Sequence, residues 1–416
     1  MTTTAALLEN GHLNPGYLKL DLLCKGMRVA PDAFAADHPL AQRVRAGLGS
    51  GLEMHVPRGG GMMVNVPIDE AFASESPYEL HAPDEHGRRP LTHGGRELCD
   101  VVVPPPPRFY RHRTSSGKRM GEVGVIQGSY LGIYYGETCA NWKRPAADAC
   151  RFCGLGTSGE RTDKITLDVV ETALAARREL GITFVHVNGG FDDRGRYVKR
   201  FGTLMRRLSA ETGLLLGLQI PPLDDVSGYR AFREAGVNNV SLCFELWDPD
   251  RFEHVCPGKH SRAGLEAFKR AIRWCVEDVG FDTTNGELIA GLEDPARSCE
   301  AIDWLTEVGA VPTVCVFRPL AGTPLADEAP PETEAVLPVL AHAYRRCMER
   351  GLPIGIAPNV HVSIVMTPDE CRWLLPPGER SRWKWRRLRH ATLRRALGAH
   401  VRRRARRASS VLGGGR

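Results

Sequence analysis

From residue 122 onward, short apolar runs alternate with amphipathic stretches, and this pattern constrains the fold more than any other feature of the chain. EVGVIQG, ITFVHVNGG, LLLGLQI, NNVSLCFEL, FDTTNGELIAG and VPTVCVFRPL read as strands. TLDVVETALAARREL and stretches near 196–211, 226–235, 261–278, 296–308 and 333–350 read as helices. Strands alternating with helices at this spacing build parallel βα units. Six such units predict an α/β fold, a partial (β/α)6 barrel, and GIAPNVHVSIVM adds a further candidate strand.

Barrels of this kind carry their active sites at the carboxyl ends of the strands. A cysteine-bearing loop follows the first predicted strand, and Asn188, Gly189 and Gly190 follow the second. Gln219 ends the third and Glu245 the fourth; Asn285 and Glu287 lie in the fifth, and Arg318 ends the sixth. His186, beside the second strand end, is either a packed core histidine or a proton carrier near a substrate.

Within the loop, Cys139, Cys150 and Cys153 are separated by gaps of 10 and 2 residues. Iron favours soft thiolate donors, and three thiolates on a cluster that has room for four leave one iron open to a substrate or cofactor. No fourth cysteine lies nearby, since Cys99 precedes the loop and Cys243 follows at a distance. A structural zinc ion completed by a remote ligand or by Asp148 satisfies the same spacing.

The segment ETCANWKRPAADACRFCGLG resembles the cluster loop of the radical S-adenosylmethionine (SAM) superfamily. That resemblance implies a [4Fe-4S] cluster held by Cys139, Cys150 and Cys153, with SAM on the fourth iron. It implies that Phe152 lies beside the adenine, that Asn188, Gly189 and Gly190 meet the methionyl part of SAM, and that Glu245 binds its amino group or ribose. Arg318 would pair with a carboxylate, and Gln219 and Asn285 would orient cofactor or substrate; His186 and Glu287 join them as catalytic candidates from their places in the strands alone. The implied chemistry is reductive cleavage of SAM to a 5'-deoxyadenosyl radical that abstracts hydrogen, with flavodoxin or ferredoxin as reductant. RFYRHRTSSGKRMGEVGVIQGSYLGIYYGETCANW, FVHVNGG and FELWDPDRFEHVCPGKH extend the likeness over residues 108–370, to a biotin-synthase-related family associated with nitrilase-containing gene clusters. The cysteine spacing is longer than the superfamily's usual one, and an acidic residue often found after the paired glycines is absent. No auxiliary-cluster motif is visible among Cys243, Cys256, Cys275, Cys299 and Cys315.

Three regions are expected: an accessory or wrapping segment over 1–118, the barrel over 119–370 and a basic extension over 371–416. The first contains possible short strands in MMVNVPI and YELHA, a glycine cluster at 59–61 without the lysine of a phosphate loop, and an extended Pro104–Pro107 connector. Residues 380–416 carry 14 Lys or Arg and no acid, so the remainder has 41 basic against 49 acidic side chains. The tail reads as an arm docked on the acidic body, or as a contact for RNA, protein or an anionic membrane. Twelve cysteines without regular spacing, and no signal or transmembrane segment, place the chain in the cytoplasm. His254, Cys256 and His260 read as ordinary loop polarity.

The leading expectation is radical chemistry on a small-molecule substrate. A peptide- or tRNA-modifying radical SAM enzyme is the alternative within that class. A zinc-stabilised nucleic-acid-binding protein is the alternative outside it.

Overall fold

In a computed structural model, which describes residues 7–34, 51–156 and 162–413, one curled sheet carries the core. Its strands are β1 (Val125–Gln127), β2 (Tyr130–Tyr134), β3 (Phe184–Asn188), β4 (Leu215–Gln219), β5 (Asn239–Glu245), β6 (Thr283–Ala290) and β7 (Val311–Val316). They lie in sequence order, with β2 to β7 parallel and β1 antiparallel to β2. The predicted partial barrel is therefore present, with one difference at its start. EVGVIQG forms the antiparallel edge, and the first parallel strand is the following SYLGIYYG segment.

The connections hold α1 (Thr166–Leu180), α2 (Tyr197–Thr212), α3 (Tyr229–Glu234), α4 (Pro249–Val255), α5 (Pro257–Arg262), α6 (Gly264–Trp274) and α7 (Pro295–Glu307), with α8 (Thr333–Arg350) after β7. Their boundaries follow from local chemistry. Asp248 and Asp294 cap α4 and α7 by accepting from Arg251 N and Ala296 N, and proline opens both helices, where no N–H is needed. In α2, Phe201, Leu204, Met205 and Leu208 recur at helical spacing and are all buried. Along β3, Val185 and Val187 are fully buried and alternate with Phe184, His186 and Asn188. The Phe184 and His186 rings stack 5.9 Å apart, and a β-carbon on Gly217 would stand 2.6 Å from the His186 ring.

GIAPNVHVSIVM does not form a strand. Its backbone serves other segments: Ser129 N donates to His361 O at 3.0 Å, and Asn65 N donates to Ser363 O at 2.9 Å. Only an isolated bridge between Val314 and Met366 touches the sheet.

The N-terminal segment contains a helix, Pro15–Lys25, a hairpin of Leu52–His55 with Met63–Val66, and a four-stranded sheet ending at Arg96–Val101. MMVNVPI and YELHA both supply strands. The 59–61 glycines turn the hairpin, Gly60 and Gly61 having φ of 65° and 97°. Buried Lys19 pairs with Glu370 at 2.8 Å, tying the N-terminal helix to the far end of the chain.

The basic extension forms α9 (Lys384–Gly413). It lies on the body: Arg404 donates to Ser209 Oγ at 3.3 Å and Arg177 donates to Ala405 O at 3.2 Å. No helix among the described residues is long and apolar enough to cross a membrane.

Candidate active site

A cavity of about 600 Å³ opens at the carboxyl ends of β2 to β5. Cys139, Cys150, Cys153 and Phe152 line it from the loop after β2, Asn188, Gly189 and Gly190 from the end of β3, and Gln219 and Glu245 from the ends of β4 and β5. The cysteine loop and the glycine pair interlock. Ala140 N donates to Phe191 O at 2.7 Å, and Phe191 N donates to the Cys139 sulfur at 3.3 Å. A β-carbon at Gly190 would lie 2.4 Å from that of Cys139, so the approach requires glycine.

Glu245 is almost fully buried and has a φ of 73°, left-handed backbone that a side chain rarely adopts. It follows a register shift in the pairing of β5 with β6, which turns the strand end toward the cavity. Lys259 of α5, which also lines the cavity, reaches Glu245 Oε1 at 2.5 Å and Cys243 O at 2.7 Å. Burial works against the Lys259 charge, but Glu245 and then Cys150 hold it well above the usual lysine value.

The three thiols differ. Burial pushes Cys153 up to about 12 and raises Cys139 despite bonds from Asn141 and Phe191. Cys150 is lowered chiefly because the Cys256 thiol donates to it, with Lys259 adding its charge against burial. Among the described residues, no three His, Cys, Asp or Glu side chains converge as a single ion would require. The three loop thiols instead stand around one cavity. Asn141, 1% exposed in the cavity wall, has an Oδ1 with no hydrogen-bond partner among the described residues. The donor set, the glycine approach and this unbonded oxygen fit an iron–sulfur cluster with a polar organic cofactor.

Glu287, Asn285, His186 and Arg318 do not line this cavity. Glu287 is behind Cys243, accepting its S–H at 2.9 Å and the Ser241 hydroxyl, while Gln219 donates to the Cys243 sulfur at 2.8 Å. Burial raises the Glu287 carboxyl despite the bonds from Cys243 and Ser241. Asn285 sits lower in the lumen, accepting from Asn239 at 2.6 Å and donating to Thr313 at 3.0 Å. His186 packs between the Phe184 and Tyr130 rings, where burial lowers it to about 4. Arg318 is buried against the N-terminal hairpin, donating to Asn65 O at 2.9 Å, with Glu70 at 3.7 Å. It does not line the cavity.

Two residues of the site lie in the FELWDPDRFEHVCPGKH segment, where the sequence reading assigns them no site role. Lys259 and Cys256 both come from the α4–α5 corner, which folds over the loop: Arg151 N donates to Val255 O at 2.9 Å. Cys256 is fully buried, whereas His254 and His260 are exposed, so these three residues form no ligand group.

No family model matches the chain. It is 26% identical over 239 residues to bacteriochlorophyllide c C-7(1)-hydroxylase of Chlorobaculum limnaeum, a stretch that covers 51% of this chain and 58% of that protein. The chain thus spans less than two thirds of that relative's length. Solved structures similar to it include methylornithine synthase (18% identity, TM-score 0.41, 52% of this chain and 62% of that one). A radical SAM methyltransferase from Sphaerobacter thermophilus gives 16% identity and a TM-score of 0.41 over 65% and 75% of the two chains. Coproporphyrinogen III oxidase from Escherichia coli, described as a radical SAM enzyme, gives 17% and 0.37 over 59% of each. At these identities and scores the likenesses assign no family.

Proposed function

We propose that this chain is a radical SAM enzyme that starts its reaction by removing hydrogen from a small molecule. The observation that carries the reading is the meeting of Cys139, Cys150 and Cys153 with Gly189, Gly190 and strained Glu245 around one cavity at the strand ends. Cys139, Cys150 and Cys153 would hold three irons of a [4Fe-4S] cluster. Such a cluster, once reduced by a flavodoxin or ferredoxin, supplies the electron that cleaves SAM to a 5'-deoxyadenosyl radical.

The protein's own part is positioning and shielding. Gly189 and Gly190 let the strand end pack against Phe201 and Cys139, where β-carbons would stand 2.5 and 2.4 Å away, and so hold the cysteine loop beside the backbone that faces the cavity. Glu245 accepts hydrogen bonds from an ammonium or a ribose hydroxyl, and Lys259 fixes the direction of that carboxylate. Phe152 offers an apolar surface to an adenine ring, and Gln219, held by Cys243, presents its amide to the cavity. Asn188 stands beside it.

The hydroxylase named above acts, by its name, at a carbon position of its pigment, and replacement of a C–H hydrogen is the class of chemistry proposed here. The wider resemblance to a biotin-synthase-related family rests on the sequence segments alone, and the comparisons with known proteins give it no support. A tRNA substrate has less support, because part of the basic arm is engaged with α2, and a peptide substrate rests only on the N-terminal region. The cytoplasm remains the compartment we propose.

The test is anaerobic reconstitution with iron and sulfide, followed by electron paramagnetic resonance of the reduced protein with and without SAM. A [4Fe-4S]+ signal perturbed by SAM, and lost on replacing any of Cys139, Cys150 or Cys153 with alanine, is the expected result. Tightly held zinc without an iron cluster would overturn the proposal in favour of a structural or nucleic-acid-binding protein.

A further inference from the structure

A second cavity, of about 660 Å³, lies at the opposite end of the barrel. Its roof consists of Phe184, Leu215, Asn239, Thr283 and Val311, the first residues of β3, β4, β5, β6 and β7. It is therefore separated from the cysteine cavity by the length of the strands. Its outer wall is one face of α9, where Lys384, Arg387, Leu388, Ala391, Arg394 and Leu397 recur at helical spacing and all line the space. Cations and apolar side chains alternate along that face.

The acids around the cavity are already committed. Asp282 accepts from Arg233 at 3.0 Å and Asn238 at 2.7 Å, and Glu370 is paired with Lys19 at 2.8 Å. Asp369 accepts from the Thr367 hydroxyl at 2.9 Å and lies 3.9 Å from Arg372. Lys384, Arg387 and Arg394 take part in none of the ion pairs between described residues. Two donors in the wall are also unused. Tyr344 is 1% exposed, and its hydroxyl has no hydrogen-bond partner among the described residues. The Arg387 Nε is likewise shut off from solvent without a partner. Buried donors left unmade are unfavourable, and an oxyanion accepts from a hydroxyl and a guanidinium together. Met348, Ile354 and Leu397 supply an apolar part of the lining, beside polar residues such as Asn285 and His361.

We propose that this cavity binds a small amphipathic organic anion, its carboxylate or phosphate head held by Tyr344, Arg387 and Arg394 and its apolar body lying along Met348, Ile354 and Leu397. The site is independent of the cluster chemistry, since none of its residues lines the cysteine cavity. On this reading α9 carries the cations that close the foot of the barrel.

The test is calorimetric titration of the full-length protein with octanoate, octyl phosphate and octanol, probes that share an apolar chain and differ in the head. Saturable binding of an anion, with octanol at least about tenfold weaker, is expected. The better anion identifies the head as carboxylate or phosphate. Tyr344→Phe and Arg387→Gln should each weaken it by about tenfold. Arg394→Gln changes an exposed position and leaves folding intact, so its expected loss of affinity, steeper at low salt, reads the site directly. Three results would each overturn the proposal: no anion binding at millimolar concentration, equal binding of octanol, or unchanged affinity in Arg394→Gln. Binding of RNA through the same arginines, without binding of either small anion, would also overturn it and make α9 a nucleic-acid contact.

Discussion

Glu245 holds a backbone conformation that costs a residue with a side chain about 1–3 kcal/mol, and the surrounding β5–β6 register shift and the Lys259 ion pair keep it there. Removing one member of such a buried pair leaves the other charge uncompensated. Lys259→Met is therefore expected to lower unfolding stability by about 3 kcal/mol, and adding Glu245→Leu should recover most of it; denaturant unfolding of the four proteins of this cycle measures both. At Gly190 the constraint is steric, because alanine would drive its β-carbon into Cys139. Gly190→Ala should lose most of its reconstituted iron, whereas Gly202→Ala, with open space around it, should keep it, as iron and sulfide analysis would show. Residues of this kind were legible in the sequence where a motif is local: the cysteine triplet, Phe152, Asn188 to Gly190, and the strand-end residues Gln219 and Glu245. Lys259 and Cys256 were not, because more than a hundred residues separate them from the loop they pack against. Arg318 stands two residues beyond the last strand, which stops at Val316, and Asn65, a residue of the N-terminal hairpin, draws it away from the mouth. Asn285 and Glu287 sit too early in the eight-residue β6 to reach the cavity.

At the scale of elements, most strands and helices of the barrel were legible because each buries one face at its own period. Val185 with Val187, and Phe201 with Leu204, Met205 and Leu208, show the two periods side by side. The alternating VHVSIV of residues 360–365 misleads for a physical reason. Its backbone groups bond to Ser129 and Asn65 instead of a neighbouring strand, and no local pattern reveals which partner a backbone will find. α9 was legible as a basic arm, but not its seat on α2, which depends on Gly213: a β-carbon there would stand 2.7 Å from Arg404. Deleting residues 384–416 should lower the melting temperature by a few degrees while leaving the [4Fe-4S] spectrum unchanged, because no residue of α9 lines the cysteine cavity. Thermal unfolding and absorption spectroscopy of the truncated protein would check both halves of that expectation.

For the whole molecule, the polar groups buried within the barrel make stability depend on pH. His186, held at about 4, stays neutral in the folded chain while it protonates near 6.5 in the unfolded one. Its contribution is complete above pH 6.5 and is lost as pH falls toward 4, amounting to about 3 kcal/mol. His186→Phe should flatten that part of the stability curve, measured by urea unfolding across the interval. The contacts of the N-terminal helix have a further consequence. Lys19 finds Glu370, and Asn14 finds the Trp373 carbonyl, 351 and 359 residues further along the chain. At ordinary synthesis rates those partners leave the ribosome roughly 20–70 s after the helix does. The helix thus meets its near partners, such as Tyr78 at Asp21, long before these distant ones, and the faces of Leu18, Leu20 and Leu22, fully buried in the finished protein, are covered in stages.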